Sequence, residues 1–221
     1  MHHFLCISSD YEAIHIALCK QETIQTLTTI AKHDASQQLL ATIGSLLHAQ
    51  NISLHELAFI AANCGPAPYT TLRIALTTAN ALHTAANIPL VSVDALYALI
   101  EEQAPDQQIP CTIALLNAFN NEVFFGIQQL TSTEIITGYA PINTCIANIQ
   151  QTYTDPIRFV GNGVALYEKE LQAAFGAQAI IPDPLPTYAS MQQMVRQAWQ
   201  QWHNGNTTEH LSPCYLKKIC L

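Results

Sequence analysis

The sequence predicts an α/β protein of two similar lobes, each a mixed β-sheet with flanking helices. Three observations carry that expectation. The order strand-strand-strand-helix-strand-helix-strand-helix occurs twice, opening near residue 3 and again near residue 111. A breaker-rich stretch, Gln103-Ala104-Pro105-Asp106, separates the two series and marks a boundary, giving lobes of residues 1–104 and 105–221. Of the 221 residues, 49% are hydrophobic and 11% charged, against roughly 25% charged in an average soluble chain. Such a chain buries a large core, and its hydrophobicity excludes intrinsic disorder.

In the first lobe, strands are expected at 3–8, 12–19 and 22–30. Phe4-Leu5-Cys6-Ile7 is a short apolar run, and Ile14, Ile16 and Leu18 alternate with period 2, as a half-buried strand requires. A helix follows over 34–50, with Leu39, Leu40, Ile43, Leu46 and Leu47 on one stripe and Asn51 as a left-handed stop. Ser53-x-x-Glu56 reads as a capping box ahead of the buried strand Phe59-Ile60-Ala61-Ala62. The loop Cys64-Gly65-Pro66-Ala67-Pro68 leads into a helix over 69–86, then a strand at 90–93 and a helix at 95–103. The second lobe repeats the order, with strands at 111–116, 122–129 and 133–137 and a helix at 143–152. A strand at 157–160, a helix at 164–175, a strand at 178–181 and a helix at 188–203 complete it; this last helix can pack back on the first lobe. Three successive strands followed by alternating helices and strands require a mixed sheet with an antiparallel edge. Two such lobes describe the actin/sugar-kinase/Hsp70 (RNase H-like) architecture, whose members bind nucleotide in the cleft between lobes.

Charge and cysteine usage narrow the function. Eight Lys and Arg against sixteen Asp and Glu give a net charge of −8. The basic residues are scattered, whereas a phosphate backbone is neutralised by clustered ones, so direct nucleic-acid binding is disfavoured. Nineteen glutamines and twelve asparagines take over the polar surface. The seven cysteines form no C-x-x-C pair, which disfavours a zinc knuckle or redox motif, and several lie in apolar runs where a free thiol packs as a small hydrophobe. A reducing cytoplasm fits this pattern. The N-terminus has no basic region or cleavage site of a signal peptide, and no apolar stretch reaches the ~20 residues that span a bilayer.

Several segments then match one family in order. Cys64-Gly65-Pro66-Ala67-Pro68-Tyr69-Thr70-Thr71-Leu72-Arg73-Ile74-Ala75 resembles the bacterial TsaB motif G-P-G-S-F-T-G-x-R-I-G, with Gly65, Pro66, Thr70 and Arg73 at its matching positions. Ser36-Gln37-Gln38-Leu39-Leu40 is similar to that family's S-Q-x-L-L helix. Leu115-Leu116-Asn117-Ala118 with Glu122-Val123-Phe124-Phe125 is similar to its D-A-R-x-x-E-V-Y hairpin. Gly161-Asn162-Gly163 and Pro213-x-Tyr215-Leu216-Lys217 match its G-x-G turn and C-terminal P-x-Y-L-R. The resemblance implies a role in forming N6-threonylcarbamoyladenosine at position 37 of tRNAs that read ANN codons. There TsaB is a non-catalytic, glycoprotease-like paralogue of TsaD. It forms a heterodimer with TsaD and, with the ATPase TsaE, supports transfer of threonylcarbamoyl from an adenylate made by TsaC. Implied partners are therefore a TsaD-like protein and a TsaE-like ATPase, with tRNA reached only through the complex, no cofactor of its own and no membrane.

The departures from the family pattern argue against chemistry in this chain. Superfamily members place an Asp in the first strand turn, in the family's L-A-I-D-T-S; here Leu5-Cys6-Ile7-Ser8-Ser9 puts Ser8 there. Asp10 is then either a shifted ligand or a plain turn residue. Ala67, Thr71 and Ala75 replace family glycines, and glycine is what lets a backbone approach a phosphate closely. The catalytic paralogue's metal motif, His-x-x-x-His, is absent, since none of the nine histidines has another four residues away. His83 reads as a packed core or interface histidine. Cys64 allows two readings, a thiol nucleophile with a histidine base or a buried cysteine at a strand end. No catalytic and no metal-binding residue is expected.

The helix over 69–86 carries the remaining information. Leu72, Ala75, Leu76, Ala79, Leu82 and Ala86 share one side, assigned to the core, while Ile74, Thr78, Ala81 and Ala85 form a second strip of apolar or small residues. Arg73, Thr77, Asn80 and Thr84 make the polar sector. A helix apolar on two sides is covered on two sides. The resemblance supplies the second cover, because TsaB and TsaD pair through their first two helices; it makes Leu40, Ile43, Leu47, Ile74, Thr78, Ala81 and Ala85 the partner-binding candidates. A homodimer of the isolated chain through the same strip is a further possibility. The alternative of a different class is a nucleotide-dependent phosphotransferase or hydrolase of the same fold, using the cleft between the lobes.

Overall fold

The computed structural model describes residues 2–103 and 109–216. Ala104, Pro105 and Asp106 of the boundary stretch, and Lys217 of the C-terminal motif, lie outside the described residues. The contacts divide the chain into two compact units, Met1–Ala95 with Ser190–Cys214, and Leu96–Ala189 with Tyr215–Leu221. The last helix thus belongs with the first unit and residues 96–103 with the second.

The first unit is built on a five-stranded sheet of β1 (His3–Ser9), β2 (Ala13–Lys20), β3 (Thr23–Ala31), β4 (Leu57–Asn63) and β5 (Leu90–Val93), in the order β3-β2-β1-β4-β5. β1 pairs antiparallel with β2 and parallel with β4, so the sheet is mixed. Every residue from Phe4 to Ser9 is buried. A central strand buried on both faces needs cover on both. Leu5, Ile7, Ile14, Ile16 and Ile60 point to one side, where α1 (Ala35–Ala49) and α2 (Tyr69–Ala86) contribute Leu39, Ile43, Leu72 and Leu76. Phe4 and Phe59 alternate to the other side and stack at 4.2 Å. There α6 (Met191–His203) lays Trp199 over Phe4 and Trp202 over Phe59, at 6.0 and 5.2 Å between ring centroids.

Local chemistry sets the ends of these elements. Asn51 takes the left-handed conformation (φ 53°) just past α1, and Asn87 does so after α2. The capping box at Ser53 and Glu56 is formed, with the Ser53 N–H donating to Glu56 Oε2 at 2.7 Å, and it turns the chain through a single 3-10 turn into β4.

The second unit repeats the topology. β6 (Cys111–Asn117), β7 (Glu122–Gln129), β8 (Ile135–Pro141), β9 (Ile157–Val160) and β10 (Ala179–Ile180) are ordered β10-β9-β6-β7-β8. Numbered from its own first strand, this is the order of the first sheet. α4 (Ile142–Thr152) and α5 (Asn162–Phe175) cover one face through Cys145, Ile146, Ile149, Val164 and Leu171. α3 (Ala95–Gln103) packs elsewhere on the sheet, where Gly126 makes room: a Cβ there would stand 2.9 Å from Ile100 and 3.3 Å from Leu96. Buried Arg158 donates to the carbonyl of Gln103 at 2.6 Å, placing a cation at the negative end of α3. β8 starts later than the expected 133–137, because the Ser132 hydroxyl accepts the Glu134 N–H and holds those residues in a turn.

The tail of the first unit is fastened along β5. Leu90 and Thr208 exchange two backbone hydrogen bonds, and the Cys214 N–H donates to the carbonyl of Cys64 at 2.7 Å. Between them the Asn80 side chain donates to the Leu211 carbonyl at 3.0 Å and accepts the Leu211 N–H at 2.9 Å. Its amide thereby imitates a neighbouring strand and holds Leu211, 2% exposed, in the core. Asn80 is therefore a clamp rather than part of a solvated polar sector. Replacing Asn80 by Ala leaves a buried donor and acceptor without partners, at a cost of about 2 kcal/mol. Chemical denaturation should show that loss, and limited proteolysis should cut within 204–212 earlier than in the parent.

Candidate functional site

Two regions of the first unit hold the candidates: the outward faces of α1 and α2, and the strand ends that meet the loop at 64–68. On α1 the buried set is Ala35, Leu39, Ile43, Leu46 and Leu47. Ile43 and Leu47, expected at a partner interface, are instead core residues, 1% and 6% exposed. The five-leucine-and-isoleucine stripe spans too wide an arc for one face, and the sheet takes all of it except Leu40. Leu40 stands 62% exposed among Ala41, Gly44, Ser45 and His48, all exposed. On α2, Leu72, Ala75, Leu76, Ala79 and Leu82 are buried as expected. Ile74 and Thr78 are half-buried, with Ile74 packed against the core, and Ala81 and Ala85 are exposed.

These outward faces are poor in charge. The exposed positions of α1 carry no Asp, Glu, Lys or Arg, and those of α2 carry only Arg73. Arg73 lies over the Tyr69 ring at 4.0 Å, a cation–π contact that covers part of its charge. The Thr84 hydroxyl donates to the Asn80 carbonyl in its own helix at 2.9 Å. Gly44 is the odd residue: a Cβ built on it meets nothing within 4 Å. Nothing among the described residues requires glycine there, although glycine inside a helix costs about 1 kcal/mol relative to alanine.

The loop at 64–68 is tied down by its own backbone. Buried Asn63 donates to the Ser9 carbonyl at 3.1 Å and accepts the Gly65 N–H at 2.8 Å. The Cys64 N–H goes to Val93, and the Gly65 carbonyl accepts the Ala95 N–H. Pro66 and Pro68 have no N–H to offer. The Thr71 hydroxyl, at one of the replaced glycines, donates to the Pro68 carbonyl, and Ala75 is fully buried. A phosphate-cradling loop aims its N–H groups outward; here those of Cys64 and Gly65 are spent internally. Gly65 itself sits at φ +116°, a conformation that favours glycine. Thr70 is exposed and Pro66 buried, so the four matching motif residues do not converge on one point.

Asp10 proves to be a turn residue. One carboxylate oxygen accepts the Glu12 and Ala13 N–H groups, both at 2.8 Å, and the other accepts from His15 Nε2 at 2.7 Å. His15 Nδ1 then lies 3.0 Å from the Thr29 hydroxyl on β3. Burial pushes the Asp10 carboxyl upward, but the bonds from His15, Glu12 and Ala13 outweigh it and hold the group below the usual carboxylate range. The remaining candidates are structural too. Cys64 is buried with its thiol toward the Ala62 carbonyl, and burial raises it above the ordinary thiol range, which suppresses the thiolate a nucleophile needs. Cys111 and Cys145 are pushed up to about 11 by the same cause. His83 Nδ1 donates to the Ile88 carbonyl at 2.8 Å just past the end of α2. In the Gly161-Asn162-Gly163 turn, a Cβ on Gly161 would come within 2.1 Å of the Leu115 carbonyl oxygen. Asn162 accepts the Asn117 N–H at 3.0 Å, so that turn packs against β6.

A family model described as "TsaD: tRNA N6-adenosine threonylcarbamoyltransferase" matches residues 26–201. The tRNA threonylcarbamoyladenosine biosynthesis protein TsaB of Buchnera aphidicola subsp. Acyrthosiphon pisum is 26% identical over 55% of this chain and 55% of its own length. The protein of the same name from Haemophilus influenzae is 21% identical over 96% of this chain and 92% of its own length. The chain thus spans about half of the Buchnera relative and most of the Haemophilus one. Among solved structures, YeaZ from Pseudomonas aeruginosa superposes with a TM-score of 0.71 at 23% identity, covering 97% of this chain and 100% of that one. A Bacteroides thetaiotaomicron protein with an actin-like ATPase fold and unknown function does so with 0.51 at 9% identity, covering 88% and 96%. These two likenesses establish the shared fold.

The depressed carboxyl of Asp10 has a signed consequence. A group whose folded value lies below its unfolded one adds stability above the unfolded value and loses it as pH falls through the folded value. Asp10→Ala should therefore cost about 1–2 kcal/mol at neutral pH, and the difference from the parent should shrink as the solution is acidified below the carboxylate range. Urea denaturation at a series of pH values measures it.

Proposed function

The chain belongs to the TsaD family of tRNA N6-adenosine threonylcarbamoyltransferases, and we propose that it serves tRNA N6-threonylcarbamoyladenosine biosynthesis as a non-catalytic subunit of the TsaB kind. In this reading it forms a heterodimer with a TsaD-like transferase that modifies adenosine 37, and a TsaE-like ATPase acts on the pair. The chain touches tRNA only through that complex. The names of the curated relatives support the pathway.

The observation that carries the scaffold role is the outward face of α1 and α2. Interface cores are depleted in charge, and this surface joins Leu40, Ala41, Gly44, Ala81 and Ala85 with Arg73 as its one Asp, Glu, Lys or Arg. Gly44 fits the same reading, because a helix lacking a side chain at one turn lets another helix approach to the near end of the usual 8–10 Å. Leu40, Ala81 and Ala85 are the side chains that would meet the partner, with Ile74 and Thr78 as the shoulder; Ile43 and Leu47 support the helix from below. The loop at 64–68 and the turn at Asp10 argue against the phosphotransferase or hydrolase alternative, since the Asp10 carboxylate and the N–H groups of Cys64 and Gly65 already have partners.

Two variants separate binding from folding. Ala81→Arg puts a long charged side chain into the contact, and trapped unpaired it would cost several kcal/mol of binding. On the free surface the same change should cost within about ±0.5 kcal/mol. Gly44→Ala should stabilise the isolated chain by about 0.5–1 kcal/mol while weakening the complex. Calorimetric titration with the TsaD-like protein, beside the melting temperature of each variant alone, reads both effects, after the mass of the isolated chain has been determined. Unimpaired complex formation by folded Ala81→Arg would remove this face as the interface. ATP turnover by the pure chain that disappeared in Asp10→Ala would overturn the non-catalytic reading.

A further inference from the structure

Among the described residues six cysteines carry free thiols; Cys6, Cys19, Cys64, Cys111 and Cys145 are buried and Cys214 is exposed. Cys214 and Cys64 meet. The Cys214 N–H donates to the Cys64 carbonyl at 2.7 Å, and standard bond lengths then hold the two Cα atoms within about 6.6 Å of each other. A disulfide needs roughly 4.4–6.8 Å between them. The Cys214 carbonyl also lies 3.5 Å from the point where a Cβ on Gly65 would stand, so the tail crosses the chain at Cys64 and Gly65. Cys6 and Cys19 are diagonal neighbours on β1 and β2, but both are fully buried and out of reach of an oxidant in solution.

The two side chains stand within electrostatic reach of each other. Burial is the main cause that raises the Cys64 thiol, and a negative charge on Cys214 adds to it. Partial burial first, and the Asp94 carboxylate second, raise the Cys214 thiol. Neither group is a ready thiolate, so the pair stays as two thiols in a reducing medium. The Cys64 thiol contacts the Ala62 carbonyl at 3.7 Å and the Ser92 side chain. An S–H group is a weak donor, and rotation about the Cα–Cβ bond of Cys64 releases it.

We propose that Cys64 and Cys214 are a redox-operated staple, closed into a disulfide by a hydroperoxide and reopened by thiol reductants, that locks the tail against the loop at 64–68. Exposed Cys214 reacts first. Its sulfur takes one oxygen from the hydroperoxide: the O–O bond breaks, an S–O bond forms and an alcohol or water leaves, with the sulfur oxidised by two electrons to a sulfenic acid. Cys64 Sγ then attacks that sulfur: the S–S bond forms, the S–O bond breaks, and the hydroxyl leaves with the Cys64 proton as water. Cys64 is a poor thiolate, but its fixed position beside Cys214 gives it a high effective concentration. Cys214 closes the segment Ser190–Cys214 of the first unit, so the bridge encloses Leu96–Ala189 in a covalent ring and holds Leu211 in place independently of Asn80. The staple does not use the outward face of α1 and α2, so it stands apart from the heterodimer proposed above.

Peptide mapping of the folded full chain tests it, after treatment with hydrogen peroxide and then alkylation with iodoacetamide under denaturing conditions. Tryptic cleavage at Lys32, Arg73, Arg196 and Lys217 leaves Cys64 as the one cysteine of peptide 33–73 and Cys214 as that of 197–217, apart from Cys220. Mass spectrometry should find these two peptides linked, and dithiothreitol should separate them. Oxidation should raise the melting temperature by about 5 °C and slow proteolysis within 204–212. It should slow that cleavage in Asn80→Ala too, where the clamp is missing. Cys214→Ser, a change at an exposed position, should fold as the parent does and lose all three effects of the oxidant, whereas Cys220→Ser should keep them. Cys64 recovered entirely in alkylated form, Cys214 joined instead to Cys220 or to a second chain, or a linked product that melts lower than the reduced parent would each overturn the proposal.

Discussion

Burying β1 on both faces organises the first unit, because six consecutive residues from Phe4 to Ser9 leave no polar side chain for solvent. One face is satisfied locally, by helices that follow β3 and β4 in the chain. The other waits for α6, which arrives only after the whole second unit has been traversed. Non-local contacts of that kind are entropically expensive to close, and the stacked Phe4–Phe59 pair beneath Trp199 and Trp202 supplies the apolar area that offsets the cost. The outward faces of α1 and α2 depend on the same arrangement. Once their inner faces are spent on Leu5, Ile7 and Ile60, what remains outward is short, flat and nearly uncharged.

The two units share one strand order yet use it differently. In the first, the central strand meets helices on both faces and the edge at β5 is closed by the tail. In the second, Gly126 lets α3 approach the sheet closely, and Gly161 and Gly163 let the turn after β9 lie against the Leu115 carbonyl. Both glycine effects follow from backbone or helix coming closer than a Cβ permits.

Much of this was legible in the sequence, for identifiable reasons. The bounds of α2, β5, α3, β7 and β9 follow from periodicity and from breakers at their ends. Asn51 stops α1 because asparagine tolerates the left-handed region. What escaped was pairing between distant groups. Hydrophobic spacing shows that α6 has an apolar side but not which sheet it covers. The leucine-rich stripe of α1 could not be divided into core and surface without the sheet beneath it, so Ile43 and Leu47 were assigned outward while Leu40 alone faces out. Amide side chains carry no periodic signal, so neither the clamp at Asn80 nor the tie at Asn63 could be read. The candidate site was legible as a segment of chain, while the division of its residues between core and surface came from the structure.

The fastening of this molecule is done largely by neutral amides: Asn63 between two strand ends, Asn80 on the tail, Gln197 on the Asp94 N–H, and Asn162 on Asn117. Neutral dipoles create no ion atmosphere and carry no proton in the accessible range. Such contacts are indifferent to the Debye screening that weakens surface ion pairs. A chain with a net charge of −8 repels itself modestly, and added salt relieves that repulsion without loosening the amide ties. Rising ionic strength should thus act on this fold mainly through its solubility and its encounters with other molecules, leaving its internal architecture nearly untouched.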